Sequence, residues 1–163
     1  MRSGGIAALV VGLTLVLAAL GAASVEASAS AVTPTATQKT WRPVQVVTAL
    51  RQAGLPIGLV RYYTASSDPN KLLGRPGQYN GKANFRDQTL SGTGFDVENG
   101  GSVETFSNLA AARRRFNYVS HVTESSPLLT EYDYLEGTVF LRLSHELTPK
   151  QAKVYEGAFR RAV

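Results

Sequence analysis

Residues 131–159, EYDYLEGTVFLRLSHELTPKQAKVYEGAF, constrain the fold more than any other stretch of this chain. Two runs of alternating polar and apolar residues flank Glu136-Gly137, a dipeptide that predicts a tight β-hairpin. A two-residue turn at this dipeptide sets Glu131 opposite Arg142, an oppositely charged cross-strand pair. We expect this pair to be exposed and to contribute well under about 1 kcal/mol.

The same register sets Tyr132 opposite Leu141 on the face that is predicted to be buried. The residues predicted for that face are Tyr132, Tyr134, Val139, Leu141 and Leu143. The alternative is a type I turn with Gly137 as a bulge, because glutamate is a poor residue for a positive φ. That alternative slips the register by one residue and sets Glu131 opposite Leu141. The two-residue turn is the preferred prediction.

A helix is predicted directly after this hairpin. Thr148, Pro149 and Gln151 form a capping box, with a hydroxyl at the N-cap, proline at the first helical position and glutamine three residues after the cap. The apolar residues that follow recur at spacings of three and four, as in a helix with one buried face: Ala152, Tyr155, Phe159 and Ala162. The whole stretch therefore predicts strand, turn, strand and helix.

Residues 1–31 have the pattern of a secretory signal peptide. Arg2 supplies a positive start, and residues 6–20 form a nearly unbroken apolar run. The small residues at 27–29 or 29–31 match a cleavage site. The apolar run is shorter than the ~20 residues of a spanning helix. Secretion from the cytoplasm is therefore expected, and an uncleaved N-terminal membrane anchor is the alternative.

Residues 32–40 predict a disordered Thr/Ala/Pro spacer, and residues 41–163 predict a single domain of ordinary size. The sequence contains no cysteine. This excludes disulfides, thiolate metal sites and cysteine nucleophiles. A domain of this kind depends on packing alone for its stability.

Basic residues are concentrated in the first half of the predicted domain. Residues 39–86 carry eight lysines and arginines against Asp68 alone, whereas the formal net charge of the whole chain is +5. A basic surface on an exported protein favours anionic partners. An anionic cell-wall polymer or a membrane surface is therefore the expected partner, and no nucleic acid is expected.

The order of predicted elements indicates an α+β fold. Helices are predicted to begin at residues 43, 108 and 149, and strands are predicted over residues 57–64, 83–90 and 101–106 and in the two arms of the hairpin. Strands and helices do not alternate regularly, so the predicted architecture is a mostly antiparallel sheet of about five strands with two to three helices packed on one face.

The sequence predicts no catalytic residue, metal site or cofactor. His121 and His145 are the only histidines, and their spacing matches no known ligand pattern. No Gly-x-Ser-x-Gly elbow occurs. A carboxylate enzyme would have to draw on two groups of acidic residues: Asp96, Glu98 and Glu104, or Glu131, Asp133 and Glu136. Hairpin pairing and turn exposure account for the second group.

The loop over residues 65–82 is the preferred ligand-binding element. Long loops in compact domains are usually functional or disordered. Arg75, Tyr79 and Lys82 could converge on an anion or a sugar, because they combine a forked cation, an aromatic face and a point charge. The alternative is a structural loop in which Leu72 and Leu73 close the edge of the core.

The segments DPNKLLGRPGQY, GGSVETF and GTVFLRLSHELTPKQAKVYEGAF, behind a signal sequence, resemble a group of small exported actinobacterial proteins of unassigned function. The resemblance covers most of residues 43–163 and implies a secreted α+β domain. Members of that group are often lipoproteins, but this chain lacks the cysteine to which a lipid is attached. The resemblance implies no catalytic residues.

The sequence favours an exported, non-enzymatic binding or interaction domain that recognises an anionic cell-envelope component. A small carboxylate-dependent hydrolase acting on cell-wall carbohydrate is one alternative. A domain that docks on another exported protein is the other. An open cleft holding two carboxylates about 5–10 Å apart would favour the hydrolase.

Overall fold

A computed structural model describes residues 39–126 and 130–163 of the chain. The helices in these residues are α1 (Pro43–Gln52), α2 (Leu109–Glu124) and α3 (Pro149–Ala162), with a 3₁₀ turn at Val97–Asn99. The strands are β1 (Ile57–Tyr62), β2 (Gly81–Asp87), β3 (Gly100–Thr105), β4 (Glu131–Glu136) and β5 (Val139–Ser144). They form one antiparallel sheet in the order β1-β2-β3-β5-β4. The predicted fold class, α+β with a five-stranded antiparallel sheet and two helices, α1 and α3, packed on one face, is confirmed.

The apolar core lies between one face of the sheet and the helices α1 and α3. Alternate residues of β2, β3 and β5 point into it, because successive side chains of a strand face opposite sides. The buried side chains contributed by these strands and helices include Ala83, Phe85, Val103, Leu141, Leu143, Val46, Val47, Leu50, Tyr155 and Phe159. Among the described residues, no helix is long and apolar enough to cross a membrane.

The helix starts follow from local side-chain chemistry. The predicted capping box of α3 is confirmed, since the Thr148 hydroxyl accepts a hydrogen bond from the Gln151 N–H and the Gln151 side chain accepts one from the Thr148 N–H. Helix α2 begins at Leu109, one residue later than the predicted start at residue 108. The N-cap is Asn108, whose side-chain oxygen accepts a hydrogen bond of 2.9 Å from the Ala111 N–H.

The β4–β5 hairpin has neither of the two registers predicted from the sequence. Glu131 lies opposite Ser144, not Arg142 or Leu141, and Tyr132 lies opposite Leu143. Glu136 pairs with Val139, which leaves Gly137 and Thr138 as the two turn residues. The turn is therefore one residue later than predicted.

The positive φ of Gly137, +52°, explains this shift. A type II′ turn takes glycine at its first central position, and Glu136 would be strained there. Moving a two-residue turn by one position changes the pairing by two residues, so every side chain keeps its face. The predicted buried face is thus retained: Val139, Leu141 and Leu143 belong to the core, and Tyr132 and Tyr134 pack against it.

Candidate functional site

The opposite face of the sheet carries polar residues where strands beneath a helix usually carry apolar ones. One row of cross-strand neighbours runs from Asn84 on β2 through Ser102 on β3 and Arg142 on β5 to Asp133 on β4. A second row sets Lys82 opposite Glu104. We call this the polar face.

Glu104 is the centre of an ion network on the polar face. Its side chain is fully buried, and Arg115 of α2 reaches it with Nε 2.9 Å from Oε2 and Nη2 3.2 Å from Oε1. Lys82 Nζ and Arg142 Nη1 each lie 3.9 Å from Glu104 Oε1. Burial lowers the pKa of Lys82, although the carboxylates of Glu104 and Asp68 oppose that shift. Glu104 is thus surrounded by three cations from three different elements.

Glu131 extends this network at the edge of the sheet. Arg142 donates to it from Nε at 3.1 Å and from Nη2 at 2.7 Å, in a forked pair. The side chains are 5% and 17% exposed, so the prediction of an exposed pair is wrong. Burial raises the pKa of Glu131, and the charge of Arg142 opposes that shift. The pair forms diagonally, since Glu131 lies opposite Ser144.

Asp68 fixes the 65–82 loop against the same face. Its Oδ2 accepts hydrogen bonds from the Tyr79 hydroxyl at 2.6 Å and from the N–H groups of Leu72 and Leu73 at 2.9 and 3.1 Å. Burial acts to raise the pKa of Asp68, but these hydrogen bonds and the charge of Lys82 outweigh it and lower the pKa to about 2. The loop is held as a tight structure around one buried carboxylate.

Helix α2 covers part of the polar face. Phe116 meets Phe140 edge-to-face at 5.4 Å between ring centroids, and Arg115 reaches Glu104 from the same helix. A cavity of about 390 Å³ remains between α2, the sheet and the segment around the 3₁₀ turn. We call this the inner cavity, and its lining includes Lys82, Asn84, Asp96, Val97, Glu98, Arg115, Tyr118, Val119, Val122, Glu131, Arg142, Ser144 and His145.

Three buried polar atoms of the polar face, on Asn84, Ser102 and Asp133, have no hydrogen-bond partner among the described residues. Asn84, which lines the inner cavity, is 5% exposed; its amide nitrogen donates to the Phe95 carbonyl at 2.5 Å, but its Oδ1 accepts nothing. The hydroxyl of its cross-strand neighbour Ser102 is likewise unpaired. Buried polar groups in folded proteins are nearly always paired. Of these residues Asn84 lines the inner cavity, so its Oδ1 has the capacity to accept a hydrogen bond from a polar molecule there.

Asp133 is the most perturbed acidic group on the polar face. Burial, followed by the charge of Glu131, raises its pKa to about 7. The Ser120 hydroxyl donates to its Oδ2 at 3.5 Å, and its Oδ1 has no partner among the described residues. Half-protonation near neutral pH makes Asp133 able to donate as well as accept a hydrogen bond.

The structure brings together two of the three ligand residues predicted in the loop. Lys82 Nζ lies 5.4 Å from the centroid of the Tyr79 ring and 3.5 Å from Asp68 Oδ1. Lys82 lines the inner cavity, whereas Tyr79 is fully buried. Arg75 is exposed at a turn, where its carbonyl accepts a hydrogen bond from the Gln78 N–H. Leu72 and Leu73 pack against a small core with Tyr79 and other aromatic residues. A ligand role for these residues remains a prediction.

The remaining candidates from the sequence divide between the cavity and the surface. His145 lines the inner cavity, with Nε2 3.0 Å from Glu146 Oε1, and His121 is exposed in the last turn of α2. No group of three metal-ligating side chains occurs in residues 39–126 and 130–163. Among the acidic residues considered for a carboxylate enzyme, those that line the inner cavity are Asp96, Glu98 and Glu131.

Fold and site together define an α+β domain with a polar cavity between a sheet and one covering helix. No protein-family model, no curated protein and no solved structure matches this chain. Its function must therefore be inferred from its own residues.

Proposed function

We propose that this protein is an exported binding domain whose inner cavity holds a sugar unit of the cell envelope. The cavity of about 390 Å³ lies within the range of known small-molecule sites, about 300–1,000 Å³. The N-terminal sequence pattern supports export, and an envelope sugar is a ligand that an exported domain would meet.

The observation that carries this proposal is the buried network of charged side chains on the polar face beneath α2. Burying ions is costly, and well-packed apolar residues would often stabilise a fold at least as well. The Glu104 network, with Lys82, Arg115 and Arg142, is therefore better explained by a ligand than by stability. Such side chains, held in fixed positions by one another, are suited to orient a polar ligand.

The charges that line the inner cavity are balanced. Of the described lining residues, Lys82, Arg115 and Arg142 are basic and Asp96, Glu98 and Glu131 are acidic. A balanced lining of donors and acceptors favours a hydroxyl-rich ligand over a simple anion. This refines the expectation of an anionic component, because the unit in this cavity need not be charged.

Three further features favour a sugar with an acetamido group. The unpaired Asn84 Oδ1 can accept a hydrogen bond from an amide N–H, and Val119 and Val122 supply an apolar surface for a methyl group. Tyr118 is 64% exposed at the rim of the cavity, where its ring can stack on a sugar face.

The test is saturation-transfer NMR and calorimetry of the purified protein with N-acetylglucosamine and with glucose. We expect weak binding, in the millimolar range, that is stronger for the acetamido sugar, because a single unit makes few contacts. Tyr118→Ala should weaken binding several-fold. Tyr62→Ala is the matched control, since Tyr62 is 48% exposed on β1 and does not line the cavity. Absence of binding by both sugars would contradict the proposal.

A carboxylate-dependent hydrolase acting on wall carbohydrate is the second candidate. It is favoured by Glu131 and Asp133, alternate residues of β4 whose environments raise both pKa values, that of Asp133 to about 7. Glycoside hydrolysis needs one protonated and one ionised carboxyl. Glu131 is already held by Arg142, however, and binding is preferred. Mass spectrometry after incubation with N,N′-diacetylchitobiose distinguishes the two, because only a hydrolase releases the monosaccharide.

A further inference from the structure

We propose that the ligand is a glycan of at least two units, and that the unit next to the one in the inner cavity carries a carboxylate or phosphate recognised by Arg114. This inference depends on the proposed function and specifies the class of ligand. It concerns a second cavity, of about 600 Å³, which we call the outer cavity. Its lining residues are Asn70, Leu72, Gly77, Gln78, Arg114, Arg115 and Tyr118.

The two cavities adjoin. Asn70, Arg115 and Tyr118 line both of them, so a ligand that leaves the inner cavity along this shared wall enters the outer one. The Arg115 guanidinium carbon lies 5.9 Å from the centroid of the Tyr118 ring, which places the two planar groups beside the junction. A chain of linked rings fits this arrangement better than one ring does.

The two cavities differ in charge. Among the described residues that line the outer cavity, the only charged ones are Arg114 and Arg115. Arg115 is already paired with Glu104, whereas none of the ion pairs formed by the described residues involves Arg114. The inner cavity is balanced and the outer one has an uncompensated guanidinium. An anionic substituent is therefore expected on the second unit.

The loop backbone at Gly77 lies against Arg114. Gly77 has φ +73°, and a Cβ at that position would lie 3.2 Å from Arg114 Nη2. The absence of a side chain leaves room for the guanidinium between the loop and α2. Arginine in this position can grip a carboxylate or phosphate with two parallel hydrogen bonds.

The experiment compares three matched disaccharides by calorimetry with the purified protein. They are neutral N,N′-diacetylchitobiose, its 1-phosphate, and the disaccharide of N-acetylglucosamine and N-acetylmuramic acid, which adds a carboxylate. We expect at least one anionic disaccharide to bind about tenfold more tightly than the neutral one. The anionic disaccharide that binds more tightly shows whether the second unit carries a phosphate or a carboxylate. The gain should shrink as salt is added, because the contact is partly exposed.

The variant Arg114→Gln should remove this gain and leave the affinity for N-acetylglucosamine unchanged. Arg113→Gln is the matched control, because Arg113 is exposed on the adjacent position of α2 and lines neither cavity. Equal binding of the three disaccharides, or an equal loss in both variants, would overturn the inference while leaving the proposed function intact. If none of the disaccharides and neither monosaccharide binds, the proposed function itself fails.

Discussion

Arg142 and Glu131 form a forked ion pair diagonally across the β4–β5 hairpin, with Arg142 Nη2 2.7 Å from Glu131 Oε1. The direct cross-strand partner of Arg142 is Asp133, and that of Glu131 is Ser144. The diagonal contact leaves Arg142 Nη1 directed towards Glu104, 3.9 Å away. One guanidinium thus links the edge of the sheet to the buried centre of the polar face.

The burial of this pair predicts a substantial cost when one partner is removed. Glu131→Ala leaves Arg142 with only the longer contact to Glu104, so the free energy of unfolding should fall by about 1–3 kcal/mol. Urea denaturation measures this. Glu136→Ala is the control, because Glu136 lies on the same strand and pairs with Arg160 at an exposed site. Its cost should stay below about 1 kcal/mol, and equal costs for the two variants would contradict the buried geometry.

Asp133 should make the protein less stable as the pH rises towards neutrality. Its pKa is about 7 in the folded state against 3.8 in the unfolded chain. Between these values the folded state binds the proton and the unfolded state does not, so stability falls as pH rises. Asp133→Asn, which cannot ionise, should flatten this slope and raise the free energy of unfolding above pH 7 by about 1–3 kcal/mol. An unchanged slope in denaturation curves from pH 4 to 8 would show that another group titrates.

Asp68 has the opposite linkage. Its pKa is lowered from 3.8 to about 2, so it contributes stability that is present above pH 3.8 and is lost as the pH falls towards 2. Tyr79→Phe removes the 2.6 Å hydrogen bond to Asp68 and should cost about 1–2 kcal/mol at neutral pH. The acid-induced loss should also become smaller and end at a higher pH, because the pKa of Asp68 in the folded state moves closer to its unfolded value. Thermal unfolding at several acidic pH values tests this. If the unfolding temperature falls over the same pH range and by the same amount in Tyr79→Phe and in the unchanged protein, that result would argue against the role of Tyr79.

Leu141→Ala should cost about 2–5 kcal/mol, because Leu141 is a fully buried member of the core and lies opposite Tyr134 on β4. The equivalent change at Leu59, which is exposed on β1, should stay within about 0.5 kcal/mol. A small effect at Leu141 would mean that this part of the sheet is loosely packed.

The sequence was sufficient to predict the elements and the buried face of the hairpin. Apolar residues alternate with other residues in β5 and recur every three or four positions in α3, as strand and helix geometry require for an element with one buried face. The register was harder to predict, because it depended on which residue of Glu136-Gly137-Thr138 takes the positive φ. The buried face of the hairpin could be predicted although its register could not, because a shift of two residues changes the pairing and leaves every side chain on the same face.

The polar face could not be predicted from local patterns. Ser102 and Glu104 alternate with buried residues of β3, as on any sheet with one solvated face. Nothing nearby in the sequence indicates that α2 will cover them. One signal was present: Phe140 is apolar in the middle of the charged face of the hairpin, and α2 has an apolar stripe containing Phe116. Their contact at 5.4 Å is what brings Arg115 over Glu104.

The most direct test of the central claim is an NMR titration of the ¹⁵N-labelled protein with N-acetylglucosamine. Binding in the inner cavity predicts shifts in the side-chain amide of Asn84 and in the guanidinium signals of Arg115 and Arg142. The core residues between α1 and α3 should not respond. Perturbations confined to the core helices or to the exposed edge strand β1, or none at saturating sugar, would contradict a sugar site on the polar face.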